Sequence, residues 1–358
     1  MSGRRSILAA TMVGLAALTA ACASTDGSSI GGELHVFNWE DYFAPTTLGD
    51  FQAEFGIEVS LDTFDDELAA ASAIQSDPAR YDVVVLSDSL VAGMAERKLL
   101  AALDLSNIPN LPNVDPTFLD QSWDPGNRYS IPYAWGATGV IYNTKYVEPA
   151  RKSWSLLRDP SLAGRMALLN DSTVVIGLTL KSLGYSLSSH DPGELQEAVE
   201  VVVAQRPLLA GFFDPIAIRD GMISGNLWAA QLYSGDAAFA IAENELLAFF
   251  VPDEGSDFFV DNLVIPRDAR NKEAAALFIN YILRPDVHAG ISNYTGYAIP
   301  NRAALEQGLI DDELLASEAA YPSRDILEAW RPFDTERLSL WNEAWADIQR
   351  EASASANP

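Results

Sequence analysis

Apolar and polar positions along this chain fall into short blocks whose period switches between strand and helix. "ELHVFNW" reads as a strand, and "TTLGDFQAEFG" carries apolar residues at helical spacing up to Gly56, a helix terminator. "IEVSLDTF" predicts a second strand, "DDELAAASAIQSD" a second helix, and "YDVVVLS" a short, wholly apolar strand of the kind found inside parallel sheets. Strand, helix, strand, helix, strand predicts a doubly wound α/β lobe. Further on, "YSIPYAWGATGVIYN" is strand-like, and "DPGELQEAVEVVVAQ" and "GDAAFAIAENELLAFF" predict amphipathic helices. "FFVDNLVIP" reads as a strand, while "NKEAAALFINYILRPDV" and "RLSLWNEAWADIQREA" read as helices. Strands thus recur in the second half, and 358 residues exceed what one five-stranded sheet needs. The pattern predicts two α/β lobes, with ligand chemistry near strand C-termini in the crevice between them, where Trp39, Ser87 and Asp261 fall.

The first 32 residues have a different character. "MSGRRSILAATMVGLAALTAAC" has Arg4 and Arg5, an apolar run from Ile7 to Ala21 and small residues before Cys22, the layout of an export signal and too short for a membrane span. Cys22 is the only cysteine, so no internal disulfide forms. "LTAAC" resembles a bacterial lipobox, and the polar stretch "ASTDGSSIGG" follows as a tether. The expectation is a signal peptide over 1–21, a lipidated Cys22 with a tether over 22–32, and an exported body in the periplasm or on the outer face of the cell membrane. The lipid would be its only hold on the membrane.

Charge narrows the partners. Fifty acidic residues against 23 basic ones give a formal charge of −27, which repels nucleic acid and draws in cations. Motifs for catalysis are missing: there is no GxGxxG, P-loop or HExxH. His35, His190 and His288 lie far apart without metal-ligand spacing, so neither a metal nor a cofactor is expected. A secreted hydrolase using two carboxylates is the weaker alternative, since nothing singles out an acid and a nucleophile.

What recurs instead is aromatics beside acids. Trp39, Asp41 and Tyr42 form one group, and "LYSGD" brings Tyr233 and Asp236 together. In "FFVD", Phe259 and Asp261 are two apart and share one face of a strand. Tyr297 sits in the Gly/Pro loop "YTGYAIPN", and "EAWRP" adds Trp330. Asp261 on an apolar strand needs a cationic partner, and no Lys or Arg lies close by in sequence. Rings and carboxylates converging on one cleft would suit an organic ammonium.

The order "VFNWEDYFAP…YDVVVLSDS…IPYAWGATGVIYN…LLND…LKSLGYS…FFVDNLVIP…NKEAAALFINYILRPDV…TGYAIPN" resembles the bacterial spermidine/putrescine-binding proteins, the solute receptors of polyamine ABC importers. The resemblance spans nearly all of the exported chain. It implies a two-lobed periplasmic-binding-protein fold that closes over its ligand like a hinge, performs no chemistry, acts as a monomer and hands its ligand to a permease. By position, Trp39, Tyr42 and Asp41 match the family's first aromatic pair and the acid between them. Ser87 matches the serine ending the third strand, Tyr233 a wall tryptophan, Phe259 a Trp or Phe, Asp261 the carboxylate that grips an ammonium, and Tyr297 the loop tyrosine. Asp236 matches the acid of the putrescine-preferring branch and Asp171 an acid of the spermidine-preferring one. Departures are Val174 in place of that branch's second acid, Ser89 in place of a ring, and Arg331 in place of a Gln after Trp330. They put a putrescine-like diamine ahead of spermidine and leave a zwitterion such as an ω-amino acid, or another small cation, as the alternative if Arg331 lines the cleft. The family pattern also sets lobe boundaries: 33–138 plus 261–300 for the first lobe, 139–260 plus 301–358 for the second.

Overall fold

In a computed structural model, residues 32–64, 67–331 and 335–355 are described; the leader, Cys22 and nearly all of the tether lie outside them. In chain order the strands are β1 (Gly32–Trp39), β2 (Ile57–Phe64), β3 (Val83–Ser87), β4 (Ser130–Gly136), β5 (Thr138–Asn143), β6 (Met166–Leu169), β7 (Leu209–Phe213), β8 (Ala229–Tyr233), β9 (Leu247–Phe250), β10 (Ser256–Val264) and β11 (Leu327–Ala329). The helices are α1 (Thr47–Phe55), α2 (Glu67–Ser76), α3 (Asp88–Glu96), α4 (Ser172–Ser182), α5 (Pro192–Gln205), α6 (Pro215–Ile223), α7 (Ser234–Glu243), α8 (Lys272–Ile282), α9 (Pro285–Thr295), α10 (Arg302–Glu306), α11 (Asp312–Leu315) and α12 (Thr335–Ser355). Among the described residues no helix is long and apolar enough to cross a membrane.

Two sheets organise these elements. The first runs β11-β10-β3-β1-β2, with β4 also paired to β10. There β1 lies parallel to β2 and β3, the doubly wound unit expected from the first ninety residues, while β10 is antiparallel to β3 and β4. Neighbours on β1 point to opposite faces, so Val36 enters the core with Ile131, Val260 and Phe278 while Phe37 enters another with Ile74, Leu86 and Val91. The second sheet runs β7-β6-β8-β5-β9 around a core that includes Ile141, Met166, Leu178, Val202 and Leu232. Each such aliphatic side chain contributes roughly 1.5–3 kcal/mol by leaving water.

Local chemistry ends the helices where the site needs turns. Gly56 closes α1 with φ 68 and sends its N–H to Gln52 O. Asp171 and Asp214 start α4 and α6 by accepting from Val174 N and Ala217 N.

Several sequence expectations shift. The run "YSIPYAWGATGVIYN" becomes two strands in different sheets, with only the buried Ala137 between them. Uniform burial hides that break from periodicity. The helix expected through "AENELLAFF" stops at Glu243, and Leu247–Phe250 instead forms β9 against β5, because a short apolar run fits a strand as well as a helix. The helix over "NKEAAALFINYILRPDV" is two, since Pro285 occupies the first turn of α9. The chain returns to the first sheet by Ser256, ahead of the Asp261 boundary read from the sequence, and Asn301 stays with that lobe through a bridge to Val114. The helix α10 packs on α9, while α12 packs on α4 and α5 of the second lobe.

Candidate ligand-binding site

The antiparallel run of β10 sets the site. Asp261 stands in mid-strand rather than at a strand C-terminus, yet register places it opposite Ser87, the last residue of β3. It is buried, and its Oδ2 accepts a 2.6 Å hydrogen bond from the Tyr42 hydroxyl. Among the described residues no lysine or arginine pairs with it. Burial pushes its carboxyl up to about 6, and the Tyr42 bond only partly offsets this.

Tyr42 reaches Asp261 because Asp41 before it adopts a left-handed backbone, φ 56, which Asp tolerates better than most residues. The Tyr42 ring stands edge-on to Tyr297 at 4.9 Å. The Tyr297 hydroxyl donates to Asp236 Oδ2 at 2.7 Å, so Asp261 and Asp236 lie at the two ends of a tyrosine pair. Phe259 completes the ring cluster, edge-on to Tyr233 at 5.7 Å and to Tyr297 at 6.4 Å. Tyr233 OH donates to Asp171 Oδ2 at 3.1 Å. Two glycines make this packing feasible. A Cβ on Gly235 would sink into the Tyr297 ring, and one on Gly136 would stand 2.6 Å from Ser234 Oγ and 2.7 Å from Phe259.

Eight of the residues picked from the sequence therefore come together: Tyr42, Ser87, Asp171, Tyr233, Asp236, Phe259, Asp261 and Tyr297. Asp41 sits at their margin in an ion pair described below. Trp39 is half-buried and packs on Phe64 at 4.6 Å. Trp330 stands apart, in the second lobe's core against Trp341, with its Nε1 turned to Asp257 Oδ2 at 3.4 Å. Arg331 is exposed; its N–H donates to Ser188 Oγ and its carbonyl accepts from Arg337.

Two charged residues of the site were not read from the sequence. Glu67, first residue of α2, accepts from both the backbone N–H and, at 2.8 Å, the hydroxyl of Ser87. Burial, with the Asp261 and Asp171 charges nearby, pushes it up to about 8 despite the Ser87 bonds. Arg219 on α6 of the second lobe reaches Asp41 Oδ2 of the first at 2.9 Å and Asp236 Oδ1 at 3.5 Å. Its guanidinium covers the Phe239 ring at 4.6 Å. An acid in a helix's first turn and an arginine on a helix face both read as solvated surface. The only signal available was that "DDEL" follows a strand end on the same edge as Trp39.

The arrangement offers aromatic faces, carboxylates and hydroxyls, and among the described residues no group of His, Cys, Asp or Glu is arranged to hold a metal. Comparison with known proteins agrees with a binding site. Residues 47–321 match the model for the bacterial extracellular solute-binding proteins. The chain is 33% identical to a putrescine/agmatine-binding protein of Pseudomonas aeruginosa, over 86% of this chain and 88% of that one. It is likewise 33% identical to a spermidine/putrescine-binding periplasmic protein of Escherichia coli, over 82% and 84%. Among solved structures, a Listeria monocytogenes protein described as a spermidine/putrescine ABC transporter superposes with a TM-score of 0.83 at 34% identity, covering 88% of this chain and 98% of that one. A spermidine/putrescine ABC transporter substrate-binding protein of Streptococcus pneumoniae gives 0.76 at 33%, covering 89% and 99%. Fold, matched length and identity agree: the chain belongs to the bacterial extracellular solute-binding proteins, two-lobed receptors that bind a solute rather than transform it.

Proposed function

We propose that this protein captures a short polyamine, putrescine-like in length, between its lobes and delivers it to the permease of an ABC importer. The observation that carries this reading is Asp261: a buried carboxylate with no cation of its own among the described residues, at one end of a row of rings. A bound ammonium would supply the missing charge. Asp261 grips it, with Glu67, Ser87 and Asp171 close by, while Tyr42, Tyr233, Phe259 and Tyr297 stack on the methylenes. Cation–π attraction contributes roughly 0.5–2 kcal/mol per ring. A second ammonium reaches the Tyr297–Asp236 corner, with Trp39 at the rim. The lobes close as a hinge at the segments that cross between sheets, around Ala137, before Ser256 and at Trp330. Cys22 holds the receptor to the membrane through a lipid, and the receptor works as a monomer. The relatives named for putrescine and spermidine support the ligand class.

Thermal shift against putrescine, cadaverine, spermidine, spermine, γ-aminobutyrate and betaine tests the reading. Putrescine should give the largest rise; a rise with betaine or γ-aminobutyrate and none with any polyamine would overturn it.

The buried acids also set a pH dependence. An ammonium is bound by ionised carboxylates, so protons on Glu67, at about 8, and Asp261, at about 6, must leave on binding. Putrescine affinity should fall roughly tenfold per unit from pH 8 to pH 6, with about one proton released per ligand at pH 7. Titration in buffers of differing ionisation enthalpy measures that proton. The unliganded fold runs the other way. Both folded values lie above the ordinary 4.5 and 3.8, so the stability these neutral acids contribute is complete at low pH and is lost as pH rises through 6 and then 8.

A further inference from the structure

The two ends of the tyrosine pair differ in charge. At the Asp261 end, among the described residues, neither Asp261 nor Glu67 has a cationic partner. At the other end Arg219 is already present, its side chain about 10% exposed, between Asp41 at 2.9 Å and Asp236 at 3.5 Å. Its Nε lies 3.9 Å from the exposed Asp220. Asp236 also accepts from Tyr297. The guanidinium is held in place by the Phe239 ring below it and by α6, which Asp214 caps. It belongs to the fold, not to a flexible surface arm.

We propose that Arg219 is a specificity-determining residue: a built-in cation that occupies one end of the cleft and limits the ligand to a short amine with two charges. This rests on the polyamine reading above. Asp220 lies out in solvent beside the Nε, so facing the cleft Asp41 and Asp236 carry two negative charges and Arg219 returns one, which leaves a single charge for a ligand at that end. One ammonium satisfies it. A third ammonium, as in a triamine, would have to enter beside the guanidinium, where like charges repel in a poorly solvated space. Length is limited by the same group, because the guanidinium stands between Asp41 and Asp236 at that end. Arg219 further ties Asp41 of the first lobe to Asp236 of the second, so it sets the end wall in the closed arrangement.

The test uses the full chain with Arg219→Gln, Arg219→Met and Arg219→Lys, each titrated calorimetrically with putrescine, spermidine and spermine after a thermal melt confirms folding. Wild type should bind putrescine at least tenfold more tightly than spermidine. Either neutral variant should move the spermidine-to-putrescine affinity ratio at least tenfold towards spermidine, and Arg219→Lys should keep the wild-type ranking. Two neutral variants are used so that a folding defect in one does not decide the result. If the neutral variants bind amines with the wild-type ratio, or lose all three in proportion, Arg219 acts in closure alone and the inference is overturned. A wild-type chain that binds none of the three amines overturns the polyamine reading itself, an outcome distinct from an unchanged ratio.

Discussion

Asp261→Asn should weaken putrescine binding by about 10²–10³-fold while leaving the unliganded fold at least as stable as wild type. Asparagine keeps the shape, and its Oδ1 still accepts from the Tyr42 hydroxyl now bonded at 2.6 Å. What is lost is the charge. A charge-assisted bond to a desolvated ammonium becomes a neutral one, and truncating one partner of a buried charged pair costs about 2–5 kcal/mol. In the free protein the carboxylate is itself a burden, as its rise to about 6 by burial indicates. Removing it relieves that cost. Calorimetric titration paired with a thermal melt separates the two effects. Equal affinity in the variant would mean that Asp261 does not hold the ligand, and a large drop in melting temperature would mean that its role is structural.

Asp257→Ala should destabilise the protein by about 2–4 kcal/mol, a fall in melting temperature of about 4–8 °C. Asp257 is buried where, among the described residues, the start of β5, the start of β10 and the residue just past β11 meet. Its carboxylate accepts from Thr138 N at 2.6 Å and Thr138 Oγ1 at 3.1 Å, at the start of β5, and from Trp330 Nε1 at 3.4 Å, just past β11. Next to it on β10, Ser256 Oγ donates to the Thr138 carbonyl. Alanine strands three donors in a place water cannot easily reach. Asparagine retains two acceptor lone pairs and should recover about half of the loss. Differential scanning calorimetry of the three proteins measures this, and an alanine variant melting within about 1 °C of wild type would show that the carboxylate does not bind the crossings together.

Much of the fold was legible because the first lobe follows its patterning closely. Strands β1, β2 and β3 and helices α1 and α2 lie where period and terminators put them, down to Gly56. The second half was harder for a physical reason. Its strands β5 and β8 are buried on both faces, so they show no alternation, and the passage from β4 to β5 takes a single residue. In the site, the rings and acids at strand ends could be read, because an acid such as Asp261 on an apolar strand demands a partner. Glu67 and Arg219 could not. Their sequence surroundings are those of an ordinary helix start and an ordinary helix face, and only the tertiary packing against Ser87 and Asp41 reveals them. Trp330 shows the converse, an aromatic flagged from the sequence that the fold spends on Asp257 and a core.

The most direct measurement is calorimetric titration of the wild-type chain at pH 8 with putrescine and, in parallel, with 1,4-butanediol, its uncharged counterpart of equal length. Saturable one-to-one binding of the diamine, weakened by salt and absent for the diol, is the predicted result. Equal binding of both, or of neither, would contradict a cleft built to trap a protonated amine.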